Sequence, residues 1–406
     1  MNVDKKFDRV CVVGLGYIGL PTACVIASCG IEVVGYDVNE KIVESINSGE
    51  AHIEEPGLPS LLASVLDAHT FHASSKLQSC DVYIIAVPTP FDHVNKKADI
   101  SYVKAALSQI ARVIKQNCLI IIESTCPVGA TEELSVHFHS ELSTMEDTKS
   151  VSVDFAYCPE RVIPGNTLHE LRYNARVIGG LTKSAGLVAK TFYEKFISGD
   201  CKLVKDARTA EFIKLSENTF RDVNIAFANE LGALAEELDV NIQEVITMCN
   251  LHPRVNILQP GPGVGGHCIA VDPWFLIKSS QDNTQLMKTA RLINDAKPEK
   301  VVKKILEKRI GISKPILCLG LTYKADIGDF RESPSLTIYK KLKQLIPEDV
   351  YAYDPYSSEQ MYNDPNLLTH LPDNLSEYLV VGLVPHFEFR GIQKLSKNFV
   401  DIVSFS

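Results

Sequence analysis

The sequence lacks the features that mark membrane proteins, disulfide-rich proteins and nucleic-acid-binding proteins. No apolar run reaches the ~18 residues of a transmembrane helix. Eleven cysteines are present, an odd number with no CxxC pair, so we expect neither a disulfide framework nor a metal site. The net charge is −9 and no Lys/Arg cluster occurs, which argues against nucleic acid or an anionic membrane as the main partner.

The composition is that of an ordinary globular protein. Hydrophobic residues make up 45% of the 406 positions and charged residues 22%, which excludes a disordered or collagen-like chain. At roughly 150 residues per domain, the length predicts two to three domains. The first residues pass directly into a strand-like run without a long apolar segment, so no signal peptide is expected. These features predict a reduced, cytoplasmic protein.

Short β-branched runs alternate with helical stretches in the first part of the chain. Alternation at this spacing predicts βαβ units and a parallel sheet with helices on both faces. The predicted strands are Val10–Val13, Glu32–Tyr36, Val82–Val87, Leu119–Glu123, Phe155–Tyr157 and Val177–Gly179.

The middle of the chain is predicted to be helical. Residues Ala207–Leu238 contain no Pro and form one long helix, with a second helix over Thr284–Arg309. A helix of the first length usually links domains or forms a subunit interface. Its apolar residues recur at helical spacing, namely Phe212, Leu215, Phe220, Val223, Phe227, Leu231 and Leu234.

A second α/β pattern follows. It consists of a strand at Ile316–Leu319, a helix at Ser335–Leu345, a strand at Val350–Tyr353 and a last strand near Tyr378–Leu383. The order strand, Gly turn, helix, strand, Asp therefore occurs twice, once ending at Asp37 and once at Asp354. Two similar α/β domains flank a helical middle.

The first candidate site is a glycine-rich turn, Gly14-Leu-Gly16-Tyr-Ile-Gly19, directly after a strand and opening a helix. Such glycines allow a tight turn, close approach of a pyrophosphate, and packing of helix on strand. Asp37 ends the second strand, where a carboxylate binds a ribose 2′-hydroxyl and repels a 2′-phosphate. The pattern predicts NAD rather than NADP; the alternative is a purely structural turn.

Two loops follow strands of the same sheet and belong at its ligand-binding edge. The first contains Pro88 and Thr89, and the second is the segment Glu123–Gly129, which contains Thr125. The two threonines are candidates to bond ribose, nicotinamide or a water. The alternative is that both loops are ordinary Pro/Thr turns.

The loop Gln259–Pro273 combines four glycines in six residues with a thiol, Cys268. Its backbone N–H groups can approach a ligand closely, and they lower the pKa of a nearby thiol. Cys268 stands beside His267 and four residues before Asp272, which makes it a candidate nucleophile. A lone cysteine is more often a small core residue, and we keep that interpretation for the other ten.

Three further polar residues are candidates only as a group. Lys214 and Asn218 are four apart on the long helix and share a face, and Glu160 lies in a loop after a sheet strand.

In the second α/β domain, Lys324 and Arg331 stand where a Rossmann turn would hold a dinucleotide, and cations there suit a nucleotide diphosphate. By pattern alone, all five are as readily solvated surface residues.

Seven motifs in order resemble the UDP-glucose/GDP-mannose dehydrogenase family. They are GLGYIGLP, VPTP, ESTCPVG, CPERVIPG, EFIKLSEN, GPGVGGHCIAVDP and LTYKADIGDFRESPS. The resemblance implies an α/β chain with an N-terminal Rossmann domain for NAD (1–205), a central all-helical dimerisation domain (206–300) and a C-terminal Rossmann-like α/β domain for the UDP-sugar (301–406). It also implies a homodimer and an NAD-dependent four-electron oxidation of a sugar C6 alcohol to a carboxylate.

The resemblance also implies roles for individual residues. Catalytic roles fall to Cys268, Lys214, Asn218, Asp272, Glu160 and Thr125. Cofactor contacts fall to Gly14, Gly16, Tyr17, Ile18, Gly19, Asp37, Pro88, Thr89, Thr125 and Arg331. Substrate contacts fall to Glu160, Arg161, Val162, Lys214, Asn218, His252, Arg254, Gly265, Tyr323 and Lys324.

Within the family, the segments around His252–Asn256 and Val271–Phe275 resemble the branch that acts on UDP-N-acetyl-D-mannosamine. UDP-N-acetylglucosamine and UDP-glucose remain alternative substrates. Two other classes of function also remain open. One is a two-electron dehydrogenase that shares the NAD domain and helical middle, and the other is a catalytically silent protein that binds NAD and sugar nucleotide.

Overall fold

The computed structural model describes residues 7–92, 94–145, 151–266, 268–280, 282–357 and 364–403. The chain divides into two compact units, Met1–Ser216 and Glu217–Ser406. The division falls inside the long predicted helix. The domain bounds 1–205, 206–300 and 301–406 stay a prediction.

The first unit contains an eight-stranded sheet flanked by helices, in the Rossmann manner. The sheet order is β10-β9-β8-β7-β4-β1-β2-β3, and β5 pairs separately with β6. The strands are β1 (Arg9–Val13), β2 (Glu32–Tyr36), β3 (Phe71–Ser74), β4 (Val82–Ile85), β5 (Phe91–Asp92), β6 (Lys97–Ala98), β7 (Cys118–Ile122), β8 (Val153–Tyr157), β9 (Arg176–Gly180) and β10 (Cys201–Leu203). The helices are α1 (Gly19–Ala27), α2 (Glu40–Asn47), α3 (Leu58–Asp67), α4 (Ser101–Val113), α5 (Ala130–Leu142), α6 (Thr167–Tyr173) and α7 (Lys183–Tyr193).

All six strands predicted for this sheet are present, with three differences. The pairing of β8 with β9 is antiparallel, while the other neighbours in the sheet are parallel. The predicted strand Val82–Val87 ends at Ile85, just before the Pro-rich loop. Strands β3 and β10 were not predicted, because they are only four and three residues long and contain polar residues.

Both faces of this sheet are covered by apolar side chains, as expected for parallel strands. Within β1, Val10 and Val12 contribute to one buried cluster, and Cys11 and Val13 contribute to the cluster on the opposite face. Because both faces are buried, a ligand can reach this sheet only at an edge, and in open α/β sheets that edge is at the carboxyl ends of the strands.

One helix, α8 (Ala207–Glu237), crosses the division between the units. The usual pattern, in which apolar residues are buried and polar residues are exposed, is reversed along much of this helix. Phe220, Phe227 and Leu234 are at least half exposed. The buried side includes a polar series, namely Glu211, Lys214, Asn218, Asp222 and Asn229. The apolar residues identified in the sequence are therefore mostly not core residues of this chain.

The second unit contains the helical middle and a smaller sheet. The helices are α9 (Ile242–Cys249), α10 (Asp272–Ser279), α11 (Gln285–Arg309) and α12 (Pro334–Leu345). The strands are β11 (Ile316–Leu319), β12 (Val350–Tyr353), β13 (Leu379–Gly382) and β14 (Phe399–Asp401), all parallel in the order β12-β11-β13-β14. No helix in the described part of the chain is long and apolar enough to cross a membrane.

Candidate active site

The glycine-rich turn of the first unit has the close packing that its motif predicts. Gly14 has φ +92°, and a Cβ built there would lie 2.9 Å from the backbone O of Ala86. A Cβ on Gly19 would lie 1.7 Å from the backbone O of Gly14, so α1 packs directly on the turn. A Cβ on Gly16 would meet no described atom within 4 Å, which leaves the backbone there open to a ligand. The turn fits a pyrophosphate.

Asp37 holds this turn from the end of β2. Its Oδ2 accepts the N–H of Leu15 at 3.0 Å, and its Oδ1 accepts the N–H of Asn39 at 2.9 Å. The carboxylate is only half buried, and the next residue, Val38, is 80% exposed. A ribose hydroxyl can therefore reach a carboxylate whose position is already fixed.

The second unit contains a near copy of this arrangement, with one difference. Asp354, at the end of β12, accepts the N–H of Leu321 at 2.5 Å, as Asp37 accepts that of Leu15. Asp354 is buried, however, and His386 Nε2 lies 3.2 Å from its Oδ2. His386 Nδ1 accepts the N–H of Asp326, so Nε2 carries the proton and donates to Asp354. In the second unit, therefore, the carboxylate is bonded to a side chain of the protein itself, His386.

The two predicted cofactor loops lie side by side after β4 and β7, which are parallel neighbours. Ser124, which the sequence analysis did not single out, connects them by donating to the backbone O of Val87 at 2.7 Å. Thr89 and Thr125 are both half buried on these loops, and Pro88 is exposed. Sheet topology therefore places the loops together, while the cofactor contacts of their residues stay a prediction.

Lys214 and Glu160 meet in the first unit. Lys214 Nζ donates to the backbone O of Glu160 at 2.6 Å, and both residues are more than nine-tenths buried. The Glu160 carboxylate binds Arg176 Nη1 at 2.7 Å and accepts the N–H of Arg161 at 2.6 Å. Val162 packs at the edge of the hydrophobic core. Glu160 is thus held by a cation that the sequence analysis missed.

Glu123 completes a buried cluster with Arg176, Glu160 and Tyr193. The Tyr193 hydroxyl donates to Glu123 Oε1 at 2.6 Å. Among the described residues, Glu123 Oε2 has no hydrogen-bond partner. Burial raises the pKa of Glu123 to about 7. Of the neighbouring charges, the Arg176 guanidinium lowers this pKa and the Glu160 carboxylate raises it. The signal in the sequence was a glutamate directly after the apolar strand CLIII.

Cys268 belongs to the second unit, where it lies half buried before α10. Its backbone O accepts the N–H of Asp272 at 2.8 Å. The Asp272 carboxylate accepts Nδ2 of Asn218 at 2.5 Å, and the Asn218 Oδ1 accepts from Arg221. The Cys268 backbone, the Asp272 carboxylate and the Asn218 amide are therefore connected, and the catalytic roles of these residues stay a prediction; His267 lies outside the described residues.

The glycine-rich loop before Cys268 packs against the segment that follows β11. A Cβ on Gly265 would lie 2.7 Å from Cβ of Tyr323, and Gly266 N–H donates to the backbone O of Arg331 at 3.2 Å. Lys324 is exposed. The Arg331 guanidinium binds Asp329, with Nη2 2.6 Å from Oδ2. The predicted phosphate or cofactor contact of Arg331 therefore requires the guanidinium to bind Asp329 and the ligand at the same time.

His252 and Arg254 lie in the loop after α9, and both are exposed. The N–H of Arg254 lies 3.3 Å from His252 Nδ1, which orders this short turn. Their substrate contacts stay a prediction.

Comparison with known proteins agrees with this arrangement in every part of the chain. Sequence models of one family match residues 8–197 (NAD-binding domain), 208–296 (central domain) and 317–403 (UDP-binding domain). The chain belongs to the UDP-glucose/GDP-mannose dehydrogenase family. It is therefore an NAD-dependent oxidoreductase, and the predicted family, cofactor and α/β fold class with its three kinds of domain are confirmed.

Individual relatives in this family differ in the sugar they are named for. The UDP-N-acetyl-D-mannosamine dehydrogenase of Campylobacter jejuni is 46% identical, with 96% of this chain and 98% of the relative covered. An NDP-N-acetyl-D-galactosaminuronic acid dehydrogenase of Ralstonia solanacearum is 44% identical, with coverage of 96% and 93%. The solved structure of the UDP-D-ManNAc dehydrogenase of Pyrococcus horikoshii has a TM-score of 0.88 at 36% identity, with coverage of 98% and 96%. Identity alone does not separate the sugars.

The first prediction concerns the choice of cofactor. Asp37→Ser combined with Val38→Arg should shift the ratio of kcat/KM for NADP+ to that for NAD+ upward by about tenfold or more, because a repelling carboxylate is replaced by a guanidinium that pairs with phosphate. Steady-state kinetics with both cofactors measure the ratio. Val38→Arg alone is the control, since it keeps the Asp37 carboxylate and should change the ratio less. Equal use of both cofactors by the unmodified protein would contradict the role of Asp37.

The second prediction concerns the buried Glu123. Its pKa is raised from 4.5 to about 7, so between these values the folded protein holds a proton that the unfolded chain has released. Its contribution to stability therefore falls as pH rises through this range and is constant above it. Glu123→Gln removes this titration, so from about pH 5 to about pH 8 the variant should gain up to about 3 kcal/mol relative to the parent. Urea unfolding of both proteins measures the free energies; an identical pH dependence would show that Glu123 is ionised throughout.

Proposed function

We propose that the protein oxidises the C6 alcohol of UDP-N-acetyl-D-mannosamine to the carboxylate, giving UDP-N-acetyl-D-mannosaminuronate for surface polysaccharide synthesis. The observation that carries the chemistry is the connection of Cys268 to Asp272 and Asn218 within one unit. A thiol is not needed to oxidise an alcohol to an aldehyde. It is needed to carry an aldehyde on to a carboxylate without releasing it.

The glycine-rich turn and Asp37 are the residues that would hold NAD. The open backbone at Gly16 and the close packing at Gly14 and Gly19 fit a pyrophosphate at the start of α1. When bound, NAD+ supplies the hydride acceptor for each of the two oxidations. Thr125, half buried on the loop after β7, is proposed to hold the water or hydroxyl that takes the first alcohol proton.

Cys268 is proposed to trap the aldehyde. Its thiolate sulfur bonds to the aldehyde carbon, and the carbonyl oxygen takes up a proton, which gives a thiohemiacetal. Loss of hydride from that carbon, with loss of the hydroxyl proton, leaves a thioester. Water then adds to the thioester carbon and gives up its two protons, which pass through Asp272 to solvent; the C–S bond breaks, the carboxylate product is released and the Cys268 thiolate is regenerated.

Two residues of α8 are proposed to stabilise charge on the substrate oxygen. Lys214 uses one N–H for the backbone O of Glu160, and an ammonium carries three donors, so the contact orients the group without exhausting it. Asn218 donates to Asp272 and would exchange this bond for one to substrate. Donors fixed in a buried site stabilise an oxyanion strongly.

Of the two candidate carboxylates, we assign activation of the hydrolytic water to Asp272. It follows Cys268 by one turn, and its backbone N–H is bonded to the Cys268 carbonyl. The Glu160 carboxylate is committed to Arg176 and to the Arg161 N–H. Glu160 is therefore better suited to holding Lys214 and its own loop in place.

The choice of sugar rests on the branch resemblance and on the relatives' names. Two sequence segments, His252–Asn256 and Val271–Phe275, resemble the UDP-N-acetylmannosamine branch. A relative and a solved structure with that name cover nearly the whole chain. The exposed Arg254 is proposed to contact the sugar nucleotide of a second subunit.

We also propose a homodimer through the central helical domain. Phe220, Phe227 and Leu234 repeat every seven residues on α8 and are exposed by 66%, 50% and 50%. Such a stripe on a long helix is typical of a helix-packing interface. Cytoplasmic placement is proposed because each of the eleven cysteines, all within the described ranges, is a free thiol.

The third prediction tests the covalent step. Cys268→Ala should abolish net NADH formation while the dissociation constants of NAD+ and the UDP-sugar stay within about twofold, because the thiol forms a bond in catalysis and holds neither ligand. Cys249→Ala is the matched control, since Cys249 is also half buried in the same unit, and it should retain turnover. Two NADH per sugar from Cys268→Ala would disprove the mechanism.

The fourth prediction concerns the substrate and the number of oxidations. With NAD+ and a panel of UDP-sugars, kcat/KM should be highest for UDP-N-acetylmannosamine, and each sugar consumed should yield two NADH. Loss of an acetamide leaves polar groups unpaired, so UDP-glucose should be poorer by ~1–3 kcal/mol in transition-state binding. The N-acetylglucosamine and N-acetylgalactosamine compounds serve as the matched comparisons.

Each alternative has its own result in this panel. A lead for UDP-glucose would place the chain in another branch of the same family, and a lead for UDP-N-acetylglucosamine would correct only the configuration at C2. One NADH per sugar would indicate a two-electron dehydrogenase. No turnover with any member of the panel would favour the silent binding protein.

A further inference from the structure

The loop that carries Cys268 has little secondary structure of its own. It runs from α9 to α10, and most of its residues are exposed or half buried. A thiol that must bond to one carbon atom and stay bonded to it through the second oxidation needs a fixed position, because a misplacement of about 1 Å can cost about a hundredfold in rate. The contacts that hold this loop are therefore of functional interest.

One end of the glycine-rich part of the loop is held by a buried ion pair. Arg291 of α11 binds Asp222 of α8 through Nη1, and both side chains are fully buried. The same Nη1 donates to the backbone O of Ile269 at 3.3 Å. Ile269 is the residue directly after Cys268.

The other end is held by the same network. Asn294 Nδ2 donates to Asp222 Oδ1 at 2.8 Å, and Asn229 Nδ2 donates to Asn294 Oδ1 at 3.0 Å. The Asn229 Oδ1 in turn accepts the N–H of Gly261 at 2.9 Å. A continuous series of hydrogen bonds thus runs from Gly261, through four buried side chains, to Ile269.

A network of this kind is an expensive way to hold two helices together. Apolar side chains of similar volume often stabilise a protein as well as a buried ion pair or better. Helices α8 and α11 are also joined by a second, exposed ion pair, which Lys304 and Glu236 form at 2.8 Å. The buried network differs from that pair in that both of its ends bind the Cys268 loop.

We propose that Asp222, Arg291, Asn294 and Asn229 are positioning residues, which fix the Cys268 loop at Gly261 and Ile269 so that the thiol is held for reaction. This rests on the proposed function in which Cys268 is the nucleophile. The four side chains touch neither substrate nor cofactor in this assignment and act through the backbone of the loop.

The test compares two double variants that remove one ion pair each between the same helices. Asp222→Leu with Arg291→Met removes the buried pair and replaces it with apolar side chains. Glu236→Leu with Lys304→Met removes the exposed pair, in which Lys304 Nζ lies 2.8 Å from Glu236 Oε2. Four quantities are measured on the full chain, namely the Tm, the rate of Cys268 alkylation by iodoacetamide from peptide mapping, kcat and KM.

We expect the first double variant to raise the alkylation rate of Cys268 relative to Cys249, and to lower kcat by about tenfold or more with little change in KM for NAD+. The exposed-pair variant should match the parent in both. An unchanged alkylation rate, or a raised rate with an unchanged kcat, would overturn the positioning role. A parallel loss in both double variants would also overturn it, because the effect would then belong to helix packing.

Asn229→Leu provides a second, uncharged test should the first double variant fail to fold. It removes the bond to Gly261 and leaves the Asp222–Arg291 pair in place, so it should show the same rise in alkylation and the same loss in kcat. Unchanged values of both would overturn the proposal. Failure of the proposed function is recognised separately, because the parent would then show no turnover with the UDP-sugar panel while alkylation of Cys268 still reports on the loop.

Discussion

The structure depends on one constraint, which is that every polar side chain buried along α8 must find a partner away from water. Thr219 is one such residue, and five others follow one another at spacings close to one or two helical turns, namely Glu211, Lys214, Asn218, Asp222 and Asn229. Glu211, Lys214 and Asn218 are bonded to three different segments of the chain, whereas Asp222 and Asn229 are both bonded to α11. An unpaired buried polar group costs about 1–3 kcal/mol, and an unpaired charge costs more. The helix therefore dictates where the loops that carry the chemistry run.

This inversion also explains the limit of prediction from the sequence. The alternation of strands and helices, the glycine-rich turn and the helical middle were all readable, because they depend on local periodicity. The partners of Lys214 and Glu160 could not be predicted in this way. Arg176, the partner of the Glu160 carboxylate, is distant in sequence and looks like the first residue of an ordinary strand. Phe220 and Phe227 have core-like spacing and yet are exposed. Periodicity shows that a helix has two sides and does not show which side faces the core of its own chain.

The two glycine turns have the same local arrangement but differ in the accessibility of the acid that holds them. In both, an acid at the end of the second strand accepts a backbone N–H from the turn, at Asp37 and at Asp354. Asp37 stays half buried, beside the open backbone at Gly16. Asp354 is buried and accepts a hydrogen bond from His386 Nε2. The acid of the second copy is therefore already bonded within the protein, and we expect another segment of its domain to bind a nucleotide.

We expect that other segment to be the one after β11, which contacts the Cys268 loop within the second unit. Gly265 and Gly266 lie so close to Tyr323 that a Cβ on either would be within 3 Å of its side chain. The UDP-binding part of the family match begins just before Tyr323 and includes it. A side chain at either glycine would force the two segments apart, while the buried network holds the loop from its other side at Gly261 and Ile269. The Cys268 loop is therefore held both by the segment after β11 and by the buried network between α8 and α11.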